Sequence, residues 1–164
     1  MHRLDEDTRP SKWLKRFDTR WRPRWAKISG EISPMPAPND AGVGPKDPFA
    51  EHLGIRFFPT ESGTVGAELT VATKHLTHQG MVHGGVLYTM AEAVLTKAST
   101  VHGVAANTLD VSVSFAVPAR MGDRLRGVAE EVVLRRRTAV YTVKIKNQHD
   151  ELVAVFQATA LRMA

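Results

Sequence analysis

A chain of 164 residues with 43% hydrophobic and 24% charged residues has the length and balance of one globular domain with an ordinary core. It has no cysteine, which excludes disulfides, thiolate nucleophiles and Cys-based metal sites. A formal charge of +5 favours anionic partners, whether nucleic acid, a membrane surface or a phosphate-bearing small molecule, without choosing among them. The opening residues Met1 to Asp7 include three acids and lack the apolar core of a signal peptide, and no stretch is apolar for long enough to span a bilayer. The cytoplasm is the expected compartment.

Residues 1–45 read as a basic arm followed by a linker. Trp13, Leu14, Phe17, Trp21 and Trp25 recur at spacings of one, three and four among Lys12, Lys15, Arg16, Arg20, Arg22 and Arg24. Such a segment suits docking on a membrane, on nucleic acid or on protein. Packing on a partner subunit is the plainest of these. Pro34, Pro36, Pro38 and Pro45 mark the linker.

From residue 46 the pattern is that of a folded domain running to 164. A short helix or turn at 49–53 precedes strands near 55–59 and 64–72. Residues 83–101 carry the longest helical pattern, with Leu87, Met90, Ala91, Val94, Ala98 and Val101 on one stripe. Leu109, Val111, Val113, Phe115 and Val117 then alternate with Asp110, Ser112, Ser114 and Ala116, which predicts a strand with those five on its buried face. Strands follow at about 124–134, 137–147 and 151–162. Two strands, one long helix and four antiparallel strands predict an α+β domain, a curved sheet wrapped around a central helix. The sheet region has only Arg135, Arg136 and Arg137 as a basic run, so nucleic acid is disfavoured as a partner.

The chemistry concentrates between His75 and Glu92. Gly84 and Gly85 open the helix at a cost of about 1 kcal/mol each relative to alanine. In return, first-turn amides without a Cβ beside them can face a ligand oxygen at the positive end of the helix. A carbonyl becoming an oxyanion suits such donors. Glu92 lies off the apolar stripe, on the side shared by Gly85 and Thr96, where a carboxylate could activate water beside that carbonyl. Taken alone, a glutamate there is more commonly a solvated helix-face residue. His75, His78 and His83 match no zinc spacing, and a histidine bonding backbone at the helix start is the plainer reading of His83. No serine stands in a Gly-x-Ser-x-Gly elbow.

His83-Gly84-Gly85 followed by Glu92, with His75, Leu76 and Gly80 before it, resembles the hotdog-fold acyl-CoA thioesterases of the phenylacetate-pathway (PaaI-like) branch. The run from Asp110 to Asp123 and the segment Arg136-Arg137-Thr138 agree with it. The resemblance covers about 46–163. It implies a hotdog fold and hydrolysis of acyl-CoA without metal or organic cofactor, in homodimers or homotetramers with sites at subunit interfaces. It implies Glu92 as base or nucleophile, the Gly84 amide as the carbonyl donor with Gly85 beside it, and His83 orienting the motif. Thr108 is implied to place the water or the carboxylate, and Arg136 and Arg137 to contact CoA. Many members have Asn or Gln where this chain has Thr77, whose hydroxyl reaches less far. Tyr88, with Met81 and Phe115, could line the acyl pocket or simply pack. The alternative is a non-catalytic acyl-CoA-binding or sensing module. A hotdog dehydratase fits less well, because its His and acid sit in a different motif.

Overall fold

A 16-residue helix, α2 (Gly84–Ser99), packs along one face of a six-stranded antiparallel sheet in the computed structural model of this protein. The structure describes residues 46–62 and 64–163; the basic arm expected at 1–45 lies outside the described residues. The elements run α1 (Pro48–Leu53), β1 (Arg56–Pro59), β2 (Val65–Thr70), a 3-10 turn (Thr73–His75), α2, β3 (Ala106–Phe115), β4 (Arg124–Leu134), β5 (Thr138–Lys146) and β6 (Leu152–Arg162). The sheet order is β1-β2-β4-β5-β6-β3. α2 thus carries the chain from the β2 side of the sheet to its far edge.

α1 starts at Asp47, whose carboxylate accepts the Phe49 and Ala50 amides at 3.0 Å, and stops at Gly54 in the left-handed region (φ 83°). Alternation then builds the inner face of the sheet. Ala67, Leu69, Leu125, Ala129, Tyr141, Val143, Ile145, Phe156 and Ala158 are all buried. Gly127 sits under Met90, whose Cε would lie 3.3 Å from an added Cβ, so the absent side chain admits the helix.

Burial on α2 is wider than the single stripe expected. Val86, Ala93, Leu95, Lys97 and Ser99 are buried along with Leu87, Met90, Ala91, Val94 and Ala98. Only a band holding Gly84, Gly85, Tyr88, Thr89, Glu92 and Thr96 is left less covered, and these fall within about 140° at 100° per residue. Val101 lies past the helix end and is exposed. The Lys97 ammonium rests 4.3 Å from the centre of the Phe57 ring, and burial lowers its pKa while Asp47 raises it.

β3 departs from its expected burial. Leu109 is 59% exposed and Phe115 56%, with Val113 and Val117 also exposed and Val111 half-buried. Two causes are visible. Among the described residues β3 is an edge strand, bonded only to β6. A register shift between Thr108 and Asp110 also takes Leu109 out of the alternation.

Candidate active site

The loop before α2 is pinned before the helix begins. His75 is buried and uses both ring nitrogens: Nδ1 accepts the Ala72 amide at 2.9 Å, so Nε2 carries the proton and donates to Leu53 O at 2.7 Å. Its carbonyl accepts the His83 amide at 2.8 Å. The Val82 amide bonds Ala119 O at 2.9 Å, fixing the loop to the segment that follows β3. His78 is exposed.

His83 caps the helix. Its Nδ1 accepts the Gly85 amide at 2.9 Å, and its carbonyl accepts the Val86 amide at 2.9 Å. The two glycines therefore differ in role. Gly85 has its amide engaged, and an added Cβ would lie 3.0 Å from His83 Nδ1. The Gly84 amide has no acceptor among the described residues. Of the two amides expected to face a ligand, that of Gly85 is taken by the cap and that of Gly84 is left open. Gly84 opens onto a groove of about 310 Å³ lined by Met81, Leu87, Phe115, Val117, Pro118 and Val153 among others. The Phe115 ring comes within 3.1 Å of where a Gly84 Cβ would stand.

Glu92 is half-buried and its carboxylate accepts a bond from the Thr96 hydroxyl at 3.3 Å. Tyr88, Leu95, Val111, Phe156 and Ala158 form an apolar crevice beside it, too tight at about 10 Å³ to admit a ligand within one copy. Tyr88 is 43% exposed and meets Phe156 edge-on with ring centroids 6.1 Å apart; Phe156 meets Phe115 likewise at 6.4 Å. These three rings join the crevice at Glu92 to the groove at Gly84.

Thr96 is the contact that sequence reasoning missed. Its place, one turn beyond Glu92 on the same side, was legible; the hydroxyl role was instead expected of Thr108. Thr108 lies early in β3, opposite Ala160, and makes no hydrogen bond to Glu92. The Thr77 hydroxyl accepts the Gln79 amide at 3.3 Å within a local turn.

One copy does not bring the expected residues together. Gly84 and Glu92 are eight residues apart on one helix, about 12 Å along its axis. A carboxylate and one water do not bridge that distance to a carbonyl on the Gly84 amide. Arg136 and Arg137 occupy the β4–β5 turn, tied to Arg162, which pairs with Ala106 at the start of β3. Gly84 lies under Phe115 at the other end, and the intervening strand spans roughly 30 Å. A further cleft of about 450 Å³ lies on the opposite sheet face between Arg56, Arg124, Arg126 and Gln148, and none of the expected residues lines it.

A sequence profile of the thioesterase superfamily matches residues 79–154, which hold the cap, the glycines, Glu92 and Thr96. A protein of Archaeoglobus fulgidus catalogued as a candidate esterase is 31% identical over 117 residues, covering 71% of this chain and 76% of that one. The chain belongs to the hotdog thioesterases of the PaaI-like branch. It is similar to the acyl-coenzyme A thioesterase PaaI of Escherichia coli, 29% identical over 71% of this chain and 84% of the relative. The solved structure of the E. coli PaaI protein, 28% identical, superposes with a TM-score of 0.69, covering 73% of this chain and 86% of the other. A Streptococcus mutans protein, smu.793, solved bound to acetyl CoA, is 27% identical with a TM-score of 0.64, over 67% of this chain and 89% of that one. The profile begins at residue 79, so Thr77 falls outside it. Among the described residues no helix is long and apolar enough to cross a membrane.

Proposed function

We propose that this hotdog thioesterase hydrolyses acyl-CoA thioesters at sites shared by two copies of the chain, Gly84 coming from one and Glu92 from the other. The observation that carries this reading is the division of labour along α2: an open amide at its positive end and a carboxylate eight residues further on. Neither can serve the other within one helix, whereas two helices related by a two-fold axis bring each amide to the other's carboxylate. The uncovered band of α2 and the apolar edge strand β3 supply the surfaces for such a pairing.

In that arrangement the thioester oxygen accepts the Gly84 hydrogen bond, aided by the helix dipole. Glu92, oriented by Thr96, takes a proton from water, and the oxygen attacks the carbonyl carbon. The tetrahedral oxyanion collapses, the carbon–sulfur bond breaks, and the departing CoA thiolate receives the proton held by Glu92. The products are the free acid and CoA. His83 acts through the cap, holding the Gly84 amide outward. Gly85 admits that cap rather than touching substrate, and Tyr88 forms the wall between the two halves. Arg136 and Arg137 meet the CoA phosphates from the partner's side, where bidentate guanidinium contacts suit them.

A panel of acyl-CoAs in a thiol-release assay tests this reading and names the acyl group. Turnover of at least one acyl-CoA, lost in Glu92→Gln, is the expected result. The local turn that engages Thr77 favours a second reading, a binding or sensing module, because the carboxamide of many relatives is replaced by a hydroxyl already bonded to Gln79. Acyl-CoA binding with no thiol release from any member of the panel would select it.

A further inference from the structure

β4 and β5 are joined by a two-residue turn, Arg136 and Arg137, closed by the Arg135 amide bonding Thr138 O at 2.8 Å. Two-residue hairpin turns that match strand twist need a residue with positive φ. Neither arginine has one; among the described non-glycine residues only Asp150 does. The backbone of this turn is held from outside. Arg162 on β6 donates through Nη1 to Arg135 O at 2.9 Å and to Arg136 O at 3.4 Å, and its own amide donates to Arg137 O at 2.9 Å. Three consecutive carbonyls are drawn toward one residue, and the side chains of Arg135, Arg136 and Arg137 are left exposed. None of the three makes an ion pair with a described residue.

The clamp is held at a cost. Arg162 Nε is buried and has no hydrogen-bond partner among the described residues, and a fourth cation is brought against a run of three. A turn needed only to connect two strands has cheaper solutions, such as Asn-Gly. From this geometry we infer that Arg162 is a positioning residue for coenzyme A. It touches no substrate, and it fixes the turn so that Arg135, Arg136 and Arg137 form one phosphate-reading surface for the nucleotide end of CoA. The inference rests on the reading above in taking an acyl-CoA as the ligand and Arg136 and Arg137 as its phosphate contacts.

Free CoA and pantetheine, which lacks the nucleotide and its phosphates, separate this role from general stability. By titration calorimetry, Arg162→Met should weaken CoA binding about tenfold and leave pantetheine binding unchanged. With the best acyl-CoA of the panel, KM should rise by a similar factor while kcat stays within twofold. Arg162→Lys, which keeps a donor near the carbonyls, should fall between wild type and Arg162→Met, and it carries the same comparison should Arg162→Met not fold. Equal losses for CoA and pantetheine, or no loss of CoA affinity, would overturn the assignment. CoA binding that depends on Arg162 in a protein releasing no thiol would retain this inference and defeat hydrolysis.

Discussion

The ring of His83 accepts the Gly85 amide at 2.9 Å, and this bond decides which amide at the start of α2 stays open. A cap that removes one donor from the first turn also fixes the direction of its neighbour. His83→Ala should therefore do two things at once. Loss of the cap should cost about 1 kcal/mol of stability, visible as a melting temperature a few degrees lower. It should also lower kcat, because the Gly84 amide loses its orientation; His83→Asn, which can cap, should recover most of the stability. A denaturation curve measured beside the thiol-release rate checks both.

Glu92 and Thr96 act at different levels in the proposed chemistry. Glu92→Gln removes the base and should reduce kcat about a thousandfold, with the melting temperature little changed. Thr96→Val keeps the base and removes its 3.3 Å hydrogen bond. About tenfold in kcat is expected there, of the size that one hydrogen bond to a charged group supplies. Equal losses in the two variants would point to a structural role for the pair.

Sites shared between copies can be tested by mixing two dead proteins. Gly84→Val and Glu92→Gln should each be inactive as purified. Unfolded together and refolded, they form mixed dimers in which one of two sites receives both native residues. Random pairing then restores roughly a quarter of the wild-type rate. A mixture as inactive as its components would mean that each copy works alone.

Tyr141 makes a separate prediction for stability. Its hydroxyl donates to Glu131 at 2.9 Å, and the same carboxylate oxygen meets His102 Nε2 at 2.9 Å. Burial, then the bond to Glu131 and the charge of Glu131, push the phenol up to about 12. An unfolded chain loses this proton near pH 10 while the folded one keeps it, so the unfolded state binds fewer protons across that interval. Stability should fall as pH rises from about 10 to 12. Tyr141→Phe should remove that part of the slope in urea midpoints measured from pH 9 to 12, and an unchanged slope would remove Tyr141 as its source.

Periodicity located every strand and the helix because most of the inner face of the sheet is buried within one copy, with alternation kept at Ala67 and Leu69, Leu125 and Ala129, Tyr141 to Ile145, and Phe156 to Ala160. It failed at Leu109, Val113 and Phe115. Those residues have the pattern of a buried face, and the described residues leave them exposed. The site was legible where local rules act, as in a histidine cap before two glycines. It was illegible where contact depends on register or on another strand. Thr96 rather than Thr108 meets Glu92, and Arg162 holds a turn that precedes it by some 25 residues. Nothing in the spacing of those residues announces such contacts.

Strand order also sets a schedule. Among the described residues β3 has a single neighbour, β6, and that strand begins only at Leu152, well after β3 ends at Phe115. As the polypeptide emerges during synthesis, β1, β2, β4 and β5 can pair in sequence, while β3, with Leu109, Val113 and Phe115, waits unpaired until the whole of β6 is out. A truncation that removes β6 would strand β3 and bare the edge of β5 as well. An edge strand with exposed apolar side chains is thus also the last to be closed into the sheet.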